Sequence, residues 1–313
     1  MFTQESECRH KRRPFVAVVL SLMMAGLGQI YCGRIIRGLV FALLCTVPFV
    51  VIAGLFIHEA AVKLSLILIT GFVSVVALVA IIDSWYLARH TKPEYELKDY
   101  NRWYVYLLLW LISIGGSTTH SLYFRDNYMQ AFRVPTASSY PTLLLGDRFL
   151  ANKLAYRDKD PKRGDLVVFV NPQNRRVNFV KRVVALAGDT VEIKDNDLYI
   201  NGQKLVRTRI DDSMLSEIKV EPSGRILKGN VYEETNNGAK YKICFTSGVG
   251  LESADFAGAT VPQYHCFVLG DNRNSSEDSR HYGSVPLATI KGRADYLYWP
   301  AKDWTRFGRL NPN

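Results

Sequence analysis

The first 122 residues of this 313-residue chain carry four apolar runs, at 15–30, 38–57, 64–87 and 104–119, and these limit the fold more than any other feature. The second and third reach the roughly 20 apolar residues that a helix needs to cross a hydrocarbon core. The fourth is short, though it can extend toward Tyr123. The first is short too, and its Ala25-Gly26-Leu27-Gly28-Gln29 sequence suits an uninterrupted spanning helix poorly. A cleaved leader does not fit, because further apolar segments follow at once. Beyond about residue 125 the composition becomes that of an ordinary globular domain.

Basic residues constrain the direction of the chain. Arg9, Lys11, Arg12 and Arg13 precede the first run, and Arg34 and Arg37 follow it. Only Lys63 lies between the second and third, whereas Arg89, Lys92, Lys98 and Arg102 lie between the third and fourth. Basic loops tend to stay in the cytoplasm. If the first run does not cross, every basic cluster falls on that side, the chain crosses three times, and everything after residue 125 is outside. If it does cross, four spans with a cytoplasmic N-terminus put the polar half inside. The reading favoured here is a re-entrant or interfacial first run. The Gly26–Gly33 segment also resembles the short turn of small two-helix membrane modules, which favours a hairpin and leaves the span count open. Asp83, near the end of the third run, fits an intramembrane polar site or, as preferred here, an interfacial residue beside Trp85 and Tyr86.

The net charge of +10 is divided evenly between the two halves, with no long basic block in either. Positive loops beside membrane segments account for it, and nucleic acid is not expected as a partner. Cys8 lies in the N-terminal tail, and Cys32 and Cys45 lie in or beside apolar runs. Cys244 and Cys266 belong to the polar half and could pair in an oxidising compartment. No spacing resembles a zinc site, and no metal is expected.

The polar half reads as β-rich. Residues 149–153, 166–170, 177–186, 190–194, 197–200 and 266–269 have strand character, separated by turns such as Gly164-Asp165, Gly188-Asp189 and Asn201-Gly202. Residues 206–260 alternate more weakly and suggest an inserted subdomain or extended loops. The expected fold class is N-terminal transmembrane α-helices followed by a mainly β catalytic domain, with the division at 1–124 and 125–305.

Three segments hold candidate chemistry. Strand alternation puts Phe179, Lys181 and Val183, with Val177, on one face, so Lys181 is flanked by apolar side chains. Burying an ammonium lowers its pKa, which is what a lysine general base requires. Ser138 sits between Pro135 and Pro141, which pre-shape the backbone. A serine is a weak nucleophile that needs an adjacent base. Thr136 can offer its hydroxyl to a developing oxyanion together with the Ser138 N–H. Ser276, Asp278 and Arg280, in the loop after Gly270-Asp271-Asn272, can orient the lysine and stiffen the loop. Taken singly, each also fits a plainer role: a lysine whose head reaches solvent, a loop serine, a turn hydroxyl, a solvated polar loop.

In combination these segments resemble the type I signal peptidases (leader peptidases), membrane-bound Ser/Lys proteases. That family shows Pro-Ser-Gly-Ser-Met-x-Pro-Thr-Leu, then Arg-Gly-Asp-hydrophobic-Val, Lys-Arg-Val-Val-x-hydrophobic-x-Gly-Asp and Gly-Asp-Asn-Arg-x-x-Ser-x-Asp-Ser-Arg. The counterparts here are residues 135–143, 163–167, 181–189 and 270–280, followed by Tyr282-Gly283-x-Val285-Pro286 and Gly292-Arg293-Ala294. The resemblance implies Ser138 as nucleophile, Lys181 as general base, Ser276 as the hydroxyl that positions the lysine, and Thr136 as an oxyanion-hole hydroxyl. It implies structural roles for Asp278 and Arg280. Two departures stand out: Ala137 replaces glycine, and Ser139 replaces the methionine that usually follows the nucleophile. Spacing to Pro141 selects Ser138 over Ser139. The lost methionine raises the hypothesis of an altered cleavage-site preference.

The implied activity is removal of signal peptides from exported preproteins by Ser/Lys acyl-enzyme hydrolysis, without metal or organic cofactor. Small residues, typically alanine, are expected at the first and third positions before the cut. The implied setting is the outer face of the bacterial cytoplasmic membrane, with preproteins, membrane lipid and the export machinery as partners. Leu143, Leu144 and Leu145 either seat the site on lipid or form ordinary core. Two other readings stay open: a peptidase of the same fold dedicated to one secretion or conjugation substrate, and a non-catalytic membrane binding module.

Overall fold

The computed structural model describes residues 12–57, 62–91, 98–210, 217–220, 225–246 and 255–310. Cys8, Arg9, Lys11, Lys92 and part of the 206–260 stretch lie outside the described residues. The chain divides into two compact units, Met1–Phe124 and Arg125–Asn313.

The first unit is helical: α1 (Pro14–Met23), α2 (Leu27–Tyr31), α3 (Ile35–Ile57), α4 (Val62–His90) and most of α5 (Trp103–Asn127). Among the described residues, Ile67–His90 and Trp103–Asn127 are long and apolar enough to cross a membrane. The fourth apolar run is therefore part of a full-length helix, although its sequence looked short. The first run breaks in two where Gly26 takes φ +101°. That conformation favours glycine, and a Cβ at this position would run into the Gly38 carbonyl. The short α2 carries Gln29 fully buried. Its Nε2 donates to the Ala80 carbonyl at 2.7 Å and to Asp83 Oδ2 at 3.1 Å. Asp83 Oδ1 in turn pairs with Arg37 at 2.8 Å. The Asp83 carboxylate thus belongs to a polar cluster joining α2, α3 and α4, with the exposed Trp85 and Tyr86 beside it in sequence. Trp85 carries the Arg89 guanidinium over its ring.

The second unit is built of strands. In chain order these are β1 (Met129–Arg133), β2 (Arg148–Asn152), β3 (Leu166–Val170), β4 (Asn178–Leu186), β5 (Thr190–Lys194), β6 (Asp197–Ile200), β7 (Gln203–Lys204) and β8 (Val206–Ile210). There follow β9 (Glu217–Val220), β10 (Arg225–Asn236), β11 (Ala239–Thr246), β12 (Phe256–Thr260), β13 (His265–Leu269), the short helix α6 (Ser279–Tyr282), β14 (Val285–Pro286), β15 (Ile290–Trp299) and β16 (Gly308–Arg309). The main sheet is ordered β1-β2-β15-β3-β4-β13-β14, with β16 on β15. A second sheet runs β12-β5-β6-β7, and a third β11-β10-β8 with β9 on β10. All these strand pairs are antiparallel.

Packing follows the alternation of the strands. Val134, Leu143, Phe149, Leu166, Val168 and Leu297 form one core, and Val167, Phe169, Val183, Cys266 and Val268 form another. Leu143 is fully buried, and Leu144 packs against the small core of Tyr140, Val231 and Cys244. These two leucines are core rather than a lipid seat. Cys244 and Cys266 lie in different cores, and both are free thiols. They do not pair, and burial pushes each thiol up to about 12.

Candidate active site

Strand β4 delivers the lysine. Lys181 stands opposite Val167 of β3, and its neighbour Arg182 stands opposite Leu269 of β13. Alternation sends these two adjacent cations to opposite faces of the sheet. Lys181 is only 3 % exposed. Its Nζ lies 5.5 Å from the centre of the Phe179 ring and donates to Ser138 Oγ at 2.8 Å. Val177, the outermost residue of the expected apolar face, lies just before the strand and is exposed. Burial lowers the Lys181 pKa to about 8, although Asp278 and Asp271 pull in the other direction.

The serine segment is a compact turn rather than a strand. Tyr140 N–H donates to the Ala137 carbonyl and Leu143 N–H to the Ser139 carbonyl. The two adjacent serines diverge. Ser138 Oγ faces Lys181, while Ser139 is buried and its Oγ donates to the Val180 carbonyl at 3.1 Å. Thr136 is exposed, and its Oγ1 donates to Ser138 Oγ at 3.2 Å. Ser138 Oγ therefore accepts from both Lys181 and Thr136.

The loop after β13 closes the site from behind. Asn272 N–H donates to the Ser138 carbonyl at 3.1 Å, and Asn272 Nδ2 to the Ala137 carbonyl at 3.2 Å. Gly270 has no room for a side chain: a Cβ would collide with Ser276 and stand 2.7 Å from the Ser138 carbonyl oxygen. Ser276 is buried here, but its Oγ has no hydrogen-bond partner among the described residues, so the structure does not join it to Lys181. Asp278 caps α6 and accepts from the Gly270 N–H at 2.9 Å. Both its oxygens are also taken by Arg280, at 2.8 Å each. Despite burial, these hydrogen bonds and the Arg280 charge hold the Asp278 carboxyl below the usual carboxylate range.

Several residues absent from the sequence-level site complete it. Arg182 forks onto Asp271, with Nε to Oδ1 at 2.7 Å and Nη2 to Oδ2 at 2.6 Å. Both side chains are almost wholly buried. Thr142 Oγ1 adds a 2.6 Å bond to Asp271 Oδ2. A second cation beside Lys181 in a largely apolar strand, matched by one aspartate in a turn, was the available signal. A buried charge needs such a partner.

The sequence model of the signal peptidase, peptidase S26, family matches residues 103–299. The chain belongs to this family. Signal peptidase I of Bacillus caldolyticus is 34 % identical over 196 residues, covering 62 % of this chain and 91 % of that protein. Signal peptidase I of Aquifex aeolicus (strain VF5) is 32 % identical over 209 residues, covering 58 % of this chain and 80 % of that protein. Signal peptidase I of Pseudomonas aeruginosa is 32 % identical over 204 residues, covering 57 % and 68 %. The chain is thus a serine endopeptidase of the S26 family, with helices long and apolar enough to cross a membrane ahead of a mainly β peptidase domain. The family match begins at Trp103, the first residue of α5, and ends at Trp299, the last of β15. Every polar-half residue discussed above as a site lies within it.

Proposed function

We propose that this peptidase removes N-terminal signal peptides from exported preproteins, with Ser138 as nucleophile and Lys181 as general base. The observation that carries the assignment is the 2.8 Å bond between a buried lysine ammonium nitrogen and a serine hydroxyl. Deprotonated Lys181 takes the Ser138 proton as Oγ attacks the scissile carbonyl. The resulting ammonium returns the proton to the leaving amine, and an ester remains on Ser138. Lys181 then deprotonates a water molecule, which hydrolyses that ester. Thr136, exposed beside Ser138, is the hydroxyl available to the oxyanion once it turns from Ser138 Oγ. Ser276 is assigned to orient the lysine, and Asp278 with Arg280 to stiffen the loop.

The peptidase unit, assigned to residues 125–305, is proposed to stand on the outer face of the cytoplasmic membrane, with residues 1–124 as a multi-pass anchor. Lipid and the export machinery are the proposed neighbours. The break at Gly26 supports a first apolar run that turns back rather than crosses. Burial of Ser139 supports a general peptidase over a dedicated one, because this departure from the family pattern is absorbed by the Val180 carbonyl.

The test is cleavage of a preprotein bearing an Ala-x-Ala site by the detergent-purified full chain. Cutting after the second alanine, lost in Ser138→Ala and Lys181→Ala, is the expected result. A well-folded wild type that does not cut would refute the proposal.

A further inference from the structure

The β10–β11 hairpin lies outside the four sequence motifs, yet its polar groups end on residues of the site. Glu234 and Arg273 form a buried pair, their side chains 2 % and 4 % exposed. Arg273 Nη1 donates to Glu234 Oε2 at 3.0 Å and Nη2 to Oε1 at 2.5 Å. Tyr241 adds a 2.8 Å bond from its hydroxyl to Oε1. The same tyrosine ring lies 4.5 Å beneath the Arg182 guanidinium. Two buried forks, Arg182–Asp271 and Arg273–Glu234, are thus joined through Tyr241. Asp271 and Arg273 flank Asn272, whose two N–H donors hold the carbonyls of Ala137 and Ser138. The hairpin backbone repeats the grip: Cys244 N–H donates to the Asp271 carbonyl, and Arg273 N–H to the Cys244 carbonyl, both at 2.8 Å.

A buried ion pair is a poor choice for stability alone, because apolar residues of similar volume usually serve as well. What the fork supplies is direction: two parallel bonds fix the angle and the distance of the arginine together. Here that direction passes to Asn272 and from it to the nucleophile. We infer that Glu234 is a positioning residue of this peptidase, which acts through Arg273 to hold Asn272 against the Ser138 backbone and so keeps Ser138 Oγ within reach of Lys181. The inference rests on the proposed roles of Ser138 and Lys181.

The test uses the full chain in detergent with the Ala-x-Ala preprotein, measuring kcat, KM and melting temperature together. Glu234→Met combined with Arg273→Met fills the space without the fork. A folded double variant should lose about a hundredfold in kcat, as expected for a small misplacement of reacting groups. Its KM should stay within about twofold, because the substrate still binds uniformly. The exposed hairpin variant Lys240→Ala should match wild type. A folded double variant with wild-type kcat would overturn the inference, since a purely structural role lowers the melting temperature and leaves turnover of the folded protein intact. If the double variant does not fold, Arg273→Lys decides, because it keeps the charge and loses the fork. A fall in kcat at constant KM supports positioning, and unchanged kcat refutes it. A wild type that fails to cut removes the reading beneath the inference, which falls with it.

Discussion

Lys181 Nζ donates to Ser138 Oγ at 2.8 Å from a side chain that is only 3 % exposed. The burial that excludes water from the lysine also brings its pKa to about 8. Only the neutral amine can take a proton from serine. The kcat/KM profile should therefore rise with pH along a limb centred at about 8. A profile already flat from pH 6 upward would contradict the role given to Lys181.

The same shift has a consequence for stability. The folded state binds a proton at Lys181 more weakly than the unfolded chain does, so the penalty of the buried ammonium is fully present below about pH 8. It fades as pH rises toward the unfolded value of 10.5. Lys181→Met should abolish cleavage yet stabilise the protein at pH 7 by about 3 kcal/mol. The gain should shrink above pH 8 and vanish near 10.5, as thermal melts across that range would reveal.

Ser138→Ala and Ser139→Ala should separate chemistry from support. The first removes the hydroxyl facing Lys181 and should abolish turnover while leaving the fold intact. The second removes only the bond to the Val180 carbonyl. It should cost about 1 kcal/mol of stability, the usual net value of one hydrogen bond, and leave most of the cleavage. Denaturant titration paired with a cleavage assay distinguishes them.

Asp271→Ala strands the Arg182 guanidinium, which is 3 % exposed and has both carboxylate bonds to lose. Removing one partner of a buried pair typically costs about 3–5 kcal/mol. A large fall in melting temperature should accompany loss of activity, and a variant as stable as wild type would show that the pair is dispensable.

Gly270→Ala should be severe for a different reason. The added methyl meets Ser276 on one side and the Ser138 carbonyl, 2.7 Å away, on the other. Both neighbours belong to the site, so cleavage should fall far more than stability does. Wild-type turnover in this variant would show that the loop yields without moving Ser138.

Strands bounded by turn formers were legible in the sequence. Leu166–Val170, Thr190–Lys194 and Asp197–Ile200 begin and end where alternation and glycine turns place them. The long β10–β11 hairpin was not, for an electrostatic reason. The inward positions of β10 include Glu234 and Asn236, both buried and both hydrogen-bonded, so a search for apolar alternation finds none. β15 was also hidden. Its register shifts between Ala294 and Tyr296 break the two-residue period, and Gly292 is held to glycine by the Asn152 carbonyl 2.5 Å from where a Cβ would be.

The site divides in the same way. Ser138, Thr136 and Lys181 meet around one hydroxyl. Each sits in a short segment whose local sequence already restricts its backbone. The supports, Arg182 with Asp271 and Glu234 with Arg273, are separated by 89 and 39 positions along the chain. Partnerships of that span depend on tertiary contact, which no local pattern encodes.

The Gln29 cluster bears on how the chain is made. The two acceptors of the Gln29 amide, the Ala80 carbonyl and Asp83, lie 51 and 54 residues further along. A growing chain that has released α1, α2 and α3, but not yet α4, holds a polar amide and the Arg37 charge without the acceptors that later satisfy them. In an apolar surrounding such groups are costly until partnered. Were these helices to enter a bilayer in chain order, α4 would bring the groups that partner Gln29 and Arg37, so the cluster ties α2 and α3 to α4.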